Sequence, residues 1–595
     1  MSAKRLSSRK LRALAPLVVV ALVVSVFTIR LLDLQIVSAA SINEEADGRR
    51  GVTQTLWSSR GTIVDANGAV LASSVDRFDI TIAPVNMKDF RRLDPETDKY
   101  EDVTIDGALG EIAAITGQDA GQMRADIDAI LAADPAANFA YIATLVPLEQ
   151  YQAIRDLRIP WVYPQPHPMR TYPAGSVGGS IVGFTGSDGT ALAGLELKYD
   201  ECLAGVNGEE MYERSADGVA IPGSVVTVTK PTQGGTLHLT IDADLQYRMQ
   251  QIIAEQTIAM QAKYGTITVL EVETGNIVAA AEYPTVDPNA PGASPVADRG
   301  SRIFTWPFEP GSTIKPLTAA MLYDQGVLSP TEEILVKDEW TENGADFHDD
   351  SPHDPVMMNM NGVLTDSSNV GIALFGQRLS SEVRREYLLK FGFNERTAVE
   401  FPGEEPGIVY PAADWDSQTV YASMFGHGFT TTAAQVASSY QALANGGVRL
   451  PLRLATGCEH EDGSWTHRPG GEPVTVVSPE AAALATEGME AMAQQGWLRD
   501  RTAVPGYRIA TKTGTAQIVD PETGAYELGS YYVSLGGFAP VDDPKYVVLV
   551  TMANPVKMSS SGATADAWQQ AMAFVLSSKQ VAPSPQPWPE ITVKK

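Results

Sequence analysis

Apolar residues run without a charge from Ala13 to Ile29, 17 positions rich in Val and Leu. That is the short end of what crosses ~30 Å of hydrocarbon as a helix. Leu31, Leu32 and Leu34 extend the run, with Arg30 reaching back to the interface. From about residue 37 to 235 the pattern shortens to β-like runs between Gly-bounded turns. In Gly61-Thr62-Ile63-Val64-Asp65-Ala66-Asn67-Gly68-Ala69-Val70-Leu71 two apolar runs flank Asn67-Gly68, a hairpin signal. Ile112, Ile115, Met123, Ile127 and Ile130 recur at helical spacing, which predicts helix across 105–157. The polar, Gly-rich stretch 222–235 reads as a linker.

From Thr236 the pattern changes. Leu237 to Ile241 alternates as a strand, 243–263 is helical, and 265–281 reads as a hairpin turning at Glu273-Thr274-Gly275-Asn276. Helices are expected at 312–325, 380–391, 432–445 and 479–494, and strands at 507–518, 530–538 and 545–552. This order suggests a sheet covered by helices. Pro583, Pro585, Pro587 and Pro589 mark the last fifteen residues as an extended tail. There are no internal repeats.

Composition narrows the class. The 595 residues suffice for three or four domains at ~100–200 residues each. With 44% hydrophobic and 19% charged residues the chain is not disordered at large. Two cysteines exclude a disulfide scaffold and a thiolate metal cluster. They fall in regions read as separate domains, so a bond between Cys202 and Cys458 is not expected. A net charge of −28 argues against nucleic acid as a partner. The charge is uneven. Lys4, Arg5, Arg9, Lys10 and Arg12 give +5 before residue 30, and taking those from −28 leaves −33 on the remainder. A basic flank before an apolar run keeps the N-terminus in the cytoplasm and sends the bulk outside, as a retained anchor. Two other readings stay open: a signal peptide cleaved near Val37-Ser38-Ala39, or a buried core helix. No cysteine follows the run, which argues against a lipoprotein.

Three short motifs carry the chemistry. In Glu309-Pro310-Gly311-Ser312-Thr313-Ile314-Lys315-Pro316, Ser312 opens a helix and Lys315 lies one turn on, on the same face. A lysine kept neutral by burial or by another cation can take the proton of a serine nucleophile. Taken alone, Ser312 is an ordinary N-cap and Lys315 a surface lysine. In Ser367-Ser368-Asn369, Ser367 and Asn369 can face one cleft, relay a proton and hold a substrate amide; alone, this too is a helix cap. In Lys512-Thr513-Gly514-Thr515, Lys512 and the Thr513 and Thr515 hydroxyls suit a peptide carboxylate beside an open strand edge, and Gly514 admits close backbone approach. Alone, it is an edge strand protected by lysine. The order and wide spacing of the three are jointly specific. His348-Asp349-Asp350 with His353-Asp354 has the look of a small metal cluster but reads better as a polar loop. His427, between Gly426 and Gly428, reads as structural or rim-forming and not as a general base. Trp57, Trp306 and Trp340 read as packing residues.

With these motifs the chain resembles the class B penicillin-binding proteins, monofunctional peptidoglycan D,D-transpeptidases. The resemblance extends over Arg60-Gly61-Thr62-Ile63-Val64-Asp65-Ala66-Asn67-Gly68, Arg170-Thr171-Tyr172-Pro173-Ala174-Gly175, Gly194-Leu195-Glu196 with Tyr199-Asp200, Leu239-Thr240-Ile241-Asp242 with Gln246, Asp287-Pro288-Asn289 and Ala444-Asn445-Gly446-Gly447. It departs at Phe308, where the family usually has Tyr. The overall pattern is most similar to the cell-division type of actinobacteria.

The resemblance implies an α+β multidomain chain: a cytoplasmic tail (1–12), an anchor and juxtamembrane segment (13–36), a β-rich pedestal of the dimerisation type (37–235), a β-lactamase-like transpeptidase domain with an antiparallel sheet and helices on both faces (236–580), and a Pro-rich tail (581–595). It further implies that Ser312 attacks a D-Ala-D-Ala carbonyl with Lys315 as base. Backbone N–H groups of Ser312 and Thr515 would stabilise the oxyanion. Ser367 would pass the proton to the leaving amine and Asn369 would hold the substrate amide. Lys512, Thr513, Gly514 and Thr515 would bind the terminal carboxylate. An amine from a neighbouring strand would then take the acyl group, and β-lactams would be trapped on Ser312. No cofactor or metal is implied. The implied partners are stem peptides, β-lactams, the membrane, a polytopic membrane glycosyltransferase and other division proteins. A hydrolase with the same trio (β-lactamase or D,D-carboxypeptidase), a β-lactam sensor and a division scaffold are the rival functions.

Overall fold

The computed structural model describes residues 8–38, 51–94, 98–213, 223–519 and 525–594. The basic residues Lys4 and Arg5, and Ala39 of the possible cleavage site, lie outside them. Ser8–Leu32 is a helix. Among the described residues one segment, Pro16–Ile36, is long and apolar enough to cross a membrane, and none of it is buried. Arg30 pairs with Asp33 at 2.6 Å.

The rest does not divide at one point along the chain. One compact unit comprises 1–58, 76–168 and 206–232; the other comprises 59–75, 169–205 and 233–595. Two segments before residue 235, 59–75 and 169–205, thus lie in the compact unit that holds the five-stranded sheet.

In the first unit, Arg77–Ile82 lies between Ala140–Pro147 and Val162–Pro166 in an antiparallel sheet. Helices Ile105–Thr116 and Ala120–Ala133 start on the Thr104 and Asp119 side chains and bury Ile112, Met123 and Ile127 with Ile80, Ile142 and Trp161. The expected helical region 105–157 is thus broken by a strand, Ala140–Pro147. Asp134-Pro135 stops the helix, and the run Ile142-Ala143-Thr144-Leu145-Val146 finds a partner strand, a tertiary effect that local spacing does not reveal. The expected linker is also partly structured. Val226–Thr229 pairs with Gly208–Glu213, because its β-branched residues outweigh the flanking Gly and Pro.

The second unit is built on a five-stranded antiparallel sheet in the order Ile277–Tyr283, Tyr264–Glu271, Tyr546–Ala553, Tyr526–Ala539, Ala510–Val519. Its strands read as continuous apolar runs because both faces are covered. Val548, Val550, Ile267 and Leu535 pack on helices Ala243–Met260 and Ala565–Ser578 through Leu245, Ile252, Trp568 and Met572. Val547, Leu549 and Phe538 face the other way, toward Tyr440 of helix Ala433–Ala444 and Leu317 of helix Lys315–Asp324.

A second, six-stranded sheet explains why 59–75 and 169–205 belong here. It runs Trp465–Thr466, Ala455–Glu459, Thr236–Leu239, Ile63–Val64, Val70–Val75, Met169–Thr171. Asn67-Gly68 does form the hairpin, with Gly68 at φ 85° and the Asp65 carboxylate accepting from the Asn67 and Ala69 N–H groups. Arg60 and Arg170 both grip the fully buried Glu196, at 2.6 and 2.7 Å, and Arg60 also reaches Asp200 at 2.5 Å. Cys202 and Cys458 form a disulfide across this region, with Cα atoms 6.3 Å apart. The expectation against that bond fails because the cysteines share one folded unit.

The Pro-rich end is docked, not loose. Ile591 is buried, its carbonyl accepts from Gln495, and the Lys594 N–H donates to Asn359.

Candidate active site

Each motif reaches the cleft by a local rule. Gly311–Ile314 forms a 3-10 turn that leads directly into helix Lys315–Asp324, so Pro316 falls in the first turn, where its missing N–H costs nothing. Gly311 sits at φ +58°, and a Cβ there would lie 2.8 Å from the Thr515 carbonyl oxygen. Only glycine lets the serine turn lie this close to the edge strand. Ser367 ends helix Met360–Asp366 in the left-handed region, at φ 57°, and Ser368 caps the next helix, Asn369–Gly376. Ala510–Val519 is an edge strand of the five-stranded sheet. Its pleat turns Thr513 and Thr515 into the cleft, while Gly514 packs against Thr313 and Ser534.

All eight residues singled out from the sequence meet here. A cavity of about 870 Å³ is lined by Ser312, Ser367, Asn369, Thr513 and Thr515. Lys315 and Lys512 are fully buried beneath it. The Lys315 ammonium donates to the Ser367 carbonyl, to Ser367 Oγ at 3.2 Å and to Asn369 Oδ1 at 2.8 Å. The Lys512 ammonium donates to the same Ser367 Oγ at 2.8 Å and to Thr513 Oγ1 at 3.2 Å. Burial pushes Lys315 down from 10.5 to about 8, against the opposing pull of Asp350 and Asp349. Lys512 is driven well below its usual value, first by burial and then by the charge of Lys315. Two ammonium groups on one hydroxyl disfavour each other, so one lysine of the pair is readily neutral. Among the described residues Ser312 Oγ makes no hydrogen bond to Lys315. Such bonds are often long before substrate arrives. Lys512 does not line the cavity; its ammonium meets it only through Ser367 Oγ and Thr513 Oγ1.

The polar loop has a definite role. Asp349, nearly buried, accepts from Ser368 Oγ (2.6 Å), from the backbone N–H of Asn369 (2.5 Å) and Val370 (3.0 Å), and pairs with His353 Nε2 (3.1 Å). It locks the turn that presents Ser367 and Asn369. Sequence reasoning missed this because the pairing spans 19 or more residues; the only local signal was the i,i+4 spacing of Asp349 and His353. Glu309 was missed as well. It holds His427 at 2.9 Å and the Gly428 N–H at 2.8 Å.

A Ser-x-x-Lys turn, a Ser-x-Asn turn and a Lys-Thr-Gly edge strand around one cleft match what comparison finds. Residues 265–573 match the family model "Penicillin binding protein transpeptidase domain", and residues 55–239 the "Penicillin-binding Protein dimerisation domain". The chain belongs to the penicillin-binding protein transpeptidase family. It is 32% identical to the penicillin-binding protein PbpB of Mycolicibacterium smegmatis over 96% of this chain and 91% of the relative. It is 27% identical to the peptidoglycan D,D-transpeptidase FtsI of Escherichia coli K12, over 88% of this chain and 84% of the relative. Among solved structures it is similar to penicillin-binding protein 3 of Mycobacterium tuberculosis complexed with aztreonam, with a TM-score of 0.68, 26% identity, and coverage of 91% of this chain and 100% of the other.

Proposed function

We infer that the protein is a membrane-anchored serine D,D-transpeptidase that cross-links peptidoglycan stem peptides in septal wall synthesis and is acylated by β-lactams. The observation that carries this reading is the meeting of the Lys315 and Lys512 ammonium groups on Ser367, beneath a cleft lined by Ser312, Thr513 and Thr515. Ser312 Oγ attacks the D-Ala-D-Ala carbonyl and Lys315, in its neutral form, takes the proton. The N–H groups of Ser312 and Thr515 receive the oxyanion. Ser367, bonded to both lysines, returns the proton to the leaving D-Ala amine. The Asn369 side chain holds the substrate amide, and the Thr513 and Thr515 hydroxyls, backed by Lys512, hold the carboxylate. Water or, productively, an amine then releases the acyl group.

The apolar helix Pro16–Ile36 anchors the chain with the basic N-terminus in the cytoplasm and the catalytic unit outside. The names of the relatives, PbpB and FtsI, support the septal role. A polytopic membrane glycosyltransferase and other division proteins would bind through this helix and the dimerisation domain. The test is reaction of a D-Ala-D-Ala donor with an amine acceptor. Release of D-Ala with a cross-linked product supports transpeptidation. D-Ala without that product points to a carboxypeptidase, and a penicilloyl-enzyme that clears within seconds points to a β-lactamase.

A further inference from the structure

Glu309 and His427 form a hydrogen-bonded pair at the cleft that acylation does not use. The Gly426 carbonyl accepts from the Gly311 N–H at 3.0 Å, and a Cβ on Gly426, at φ +87°, would lie 2.1 Å from the Gly311 oxygen. The turn that carries His427 is therefore locked onto the turn that carries Ser312, and His427 lines the same cavity. Glu309 accepts from the Gly428 N–H (2.8 Å) and the Tyr526 hydroxyl (2.9 Å), and pairs with His427 Nδ1 at 2.9 Å. A carboxylate can only accept, so Nδ1 carries the hydrogen, and in the neutral ring Nε2 is left with the lone pair. Nε2 has no hydrogen-bond partner among the described residues.

The cavity lining also carries Asp349, Asp350, Asp354 and Asp366 with His353, and among the described residues no lysine or arginine lines it, Lys315 and Lys512 lying buried beneath it. Such a lining favours a cation. An aliphatic amine is an ammonium at neutral pH, with a pKa of about 10, and cannot attack until it loses a proton. We propose that His427, oriented by Glu309, is the catalytic base that turns the acceptor's ammonium into a nucleophilic amine at the mouth of the cleft. This rests on the transpeptidase reading above. The ammonium N–H bond breaks and its proton goes to Nε2. The amine then bonds to the acyl carbon as the C–Oγ bond of Ser312 breaks. The proton shed on attack returns to Oγ through Ser367, and the imidazolium releases its own to water.

The test compares two acceptors on the full-length protein carrying an acyl group from a peptide ester donor. One is a D-amino acid side-chain amine, charged at pH 7. The other is hydroxylamine, already neutral there. His427→Gln is expected to slow transfer to the first by about 10²-fold or more and to leave transfer to the second within about threefold, a margin set to separate base loss from general damage. Equal loss with both acceptors, or loss with neither, overturns the proposal. If penicillin fails to acylate even the wild type, the transpeptidase reading itself fails.

Discussion

The pH dependence of acylation follows from the position of Lys315. Its side chain is fully buried and burial holds it near 8, where an exposed lysine stands at 10.5. At pH 7 about a tenth of it is neutral, against roughly three parts in ten thousand for an ordinary lysine, a gain of about 300-fold in available base. The sign follows from the proposed role: a base works deprotonated, so the rate rises with pH. The second-order rate of acylation by a chromogenic cephalosporin, followed by stopped flow, should climb about 90-fold from pH 6 to pH 9 and level off above about 8. Asp350 pulls Lys315 upward. Asp350→Asn should therefore move the acid limb to lower pH and raise the rate at pH 6.5, with the plateau unchanged. A flat profile from pH 6 to 9, a rise that continues unbroken to pH 10, or a limb that moves upward in Asp350→Asn would refute the assignment of Lys315 as the base.

Ser367→Ala removes the hydroxyl that accepts from both lysines; acylation measured with a fluorescent penicillin should fall by about 10²–10⁴ while the melting temperature stays within a few degrees. Replacing both Cys202 and Cys458 by serine frees a cross-link between positions 256 apart. Chain entropy sets an upper limit of about 5.6 kcal/mol on the loss, and about 2–5 is the usual range, so the melting temperature should drop, and an unchanged value contradicts the bond. Glu196→Gln leaves Arg60 and Arg170 without their shared carboxylate. Denaturant unfolding should show a loss of about 3–5 kcal/mol, and a loss below about 1 would mean that the pair adds nothing beyond its neighbours.

Much of the candidate site was legible because its parts are short and local. Ser312 and Lys315 sit one helical turn apart, Ser367 and Asn369 flank a single cap residue, and Lys512 to Thr515 alternate along one strand. Local rules place such side chains, and the family resemblance supplies their order. What could not be read depends on distant partners. Ala140–Pro147 looks helical until Arg77–Ile82 pairs with it. Cys202 and Cys458 read as residues of separate domains until the 63–64 and 236–239 strands join one sheet. Asp349 and His353 resemble metal ligands until Ser368 and the N–H groups of Asn369 and Val370 occupy the carboxylate. His427 reads as structural or rim-forming, and the partner that holds its ring, Glu309, is 118 positions away.

Intact-mass analysis after penicillin, on the wild type and on Ser312→Ala, tests the central claim most directly. The account predicts that the wild type gains the mass of one penicilloyl group, carried on the peptide containing Ser312, and that the variant gains none. Equal labelling of both proteins, or a label on another residue, would contradict it.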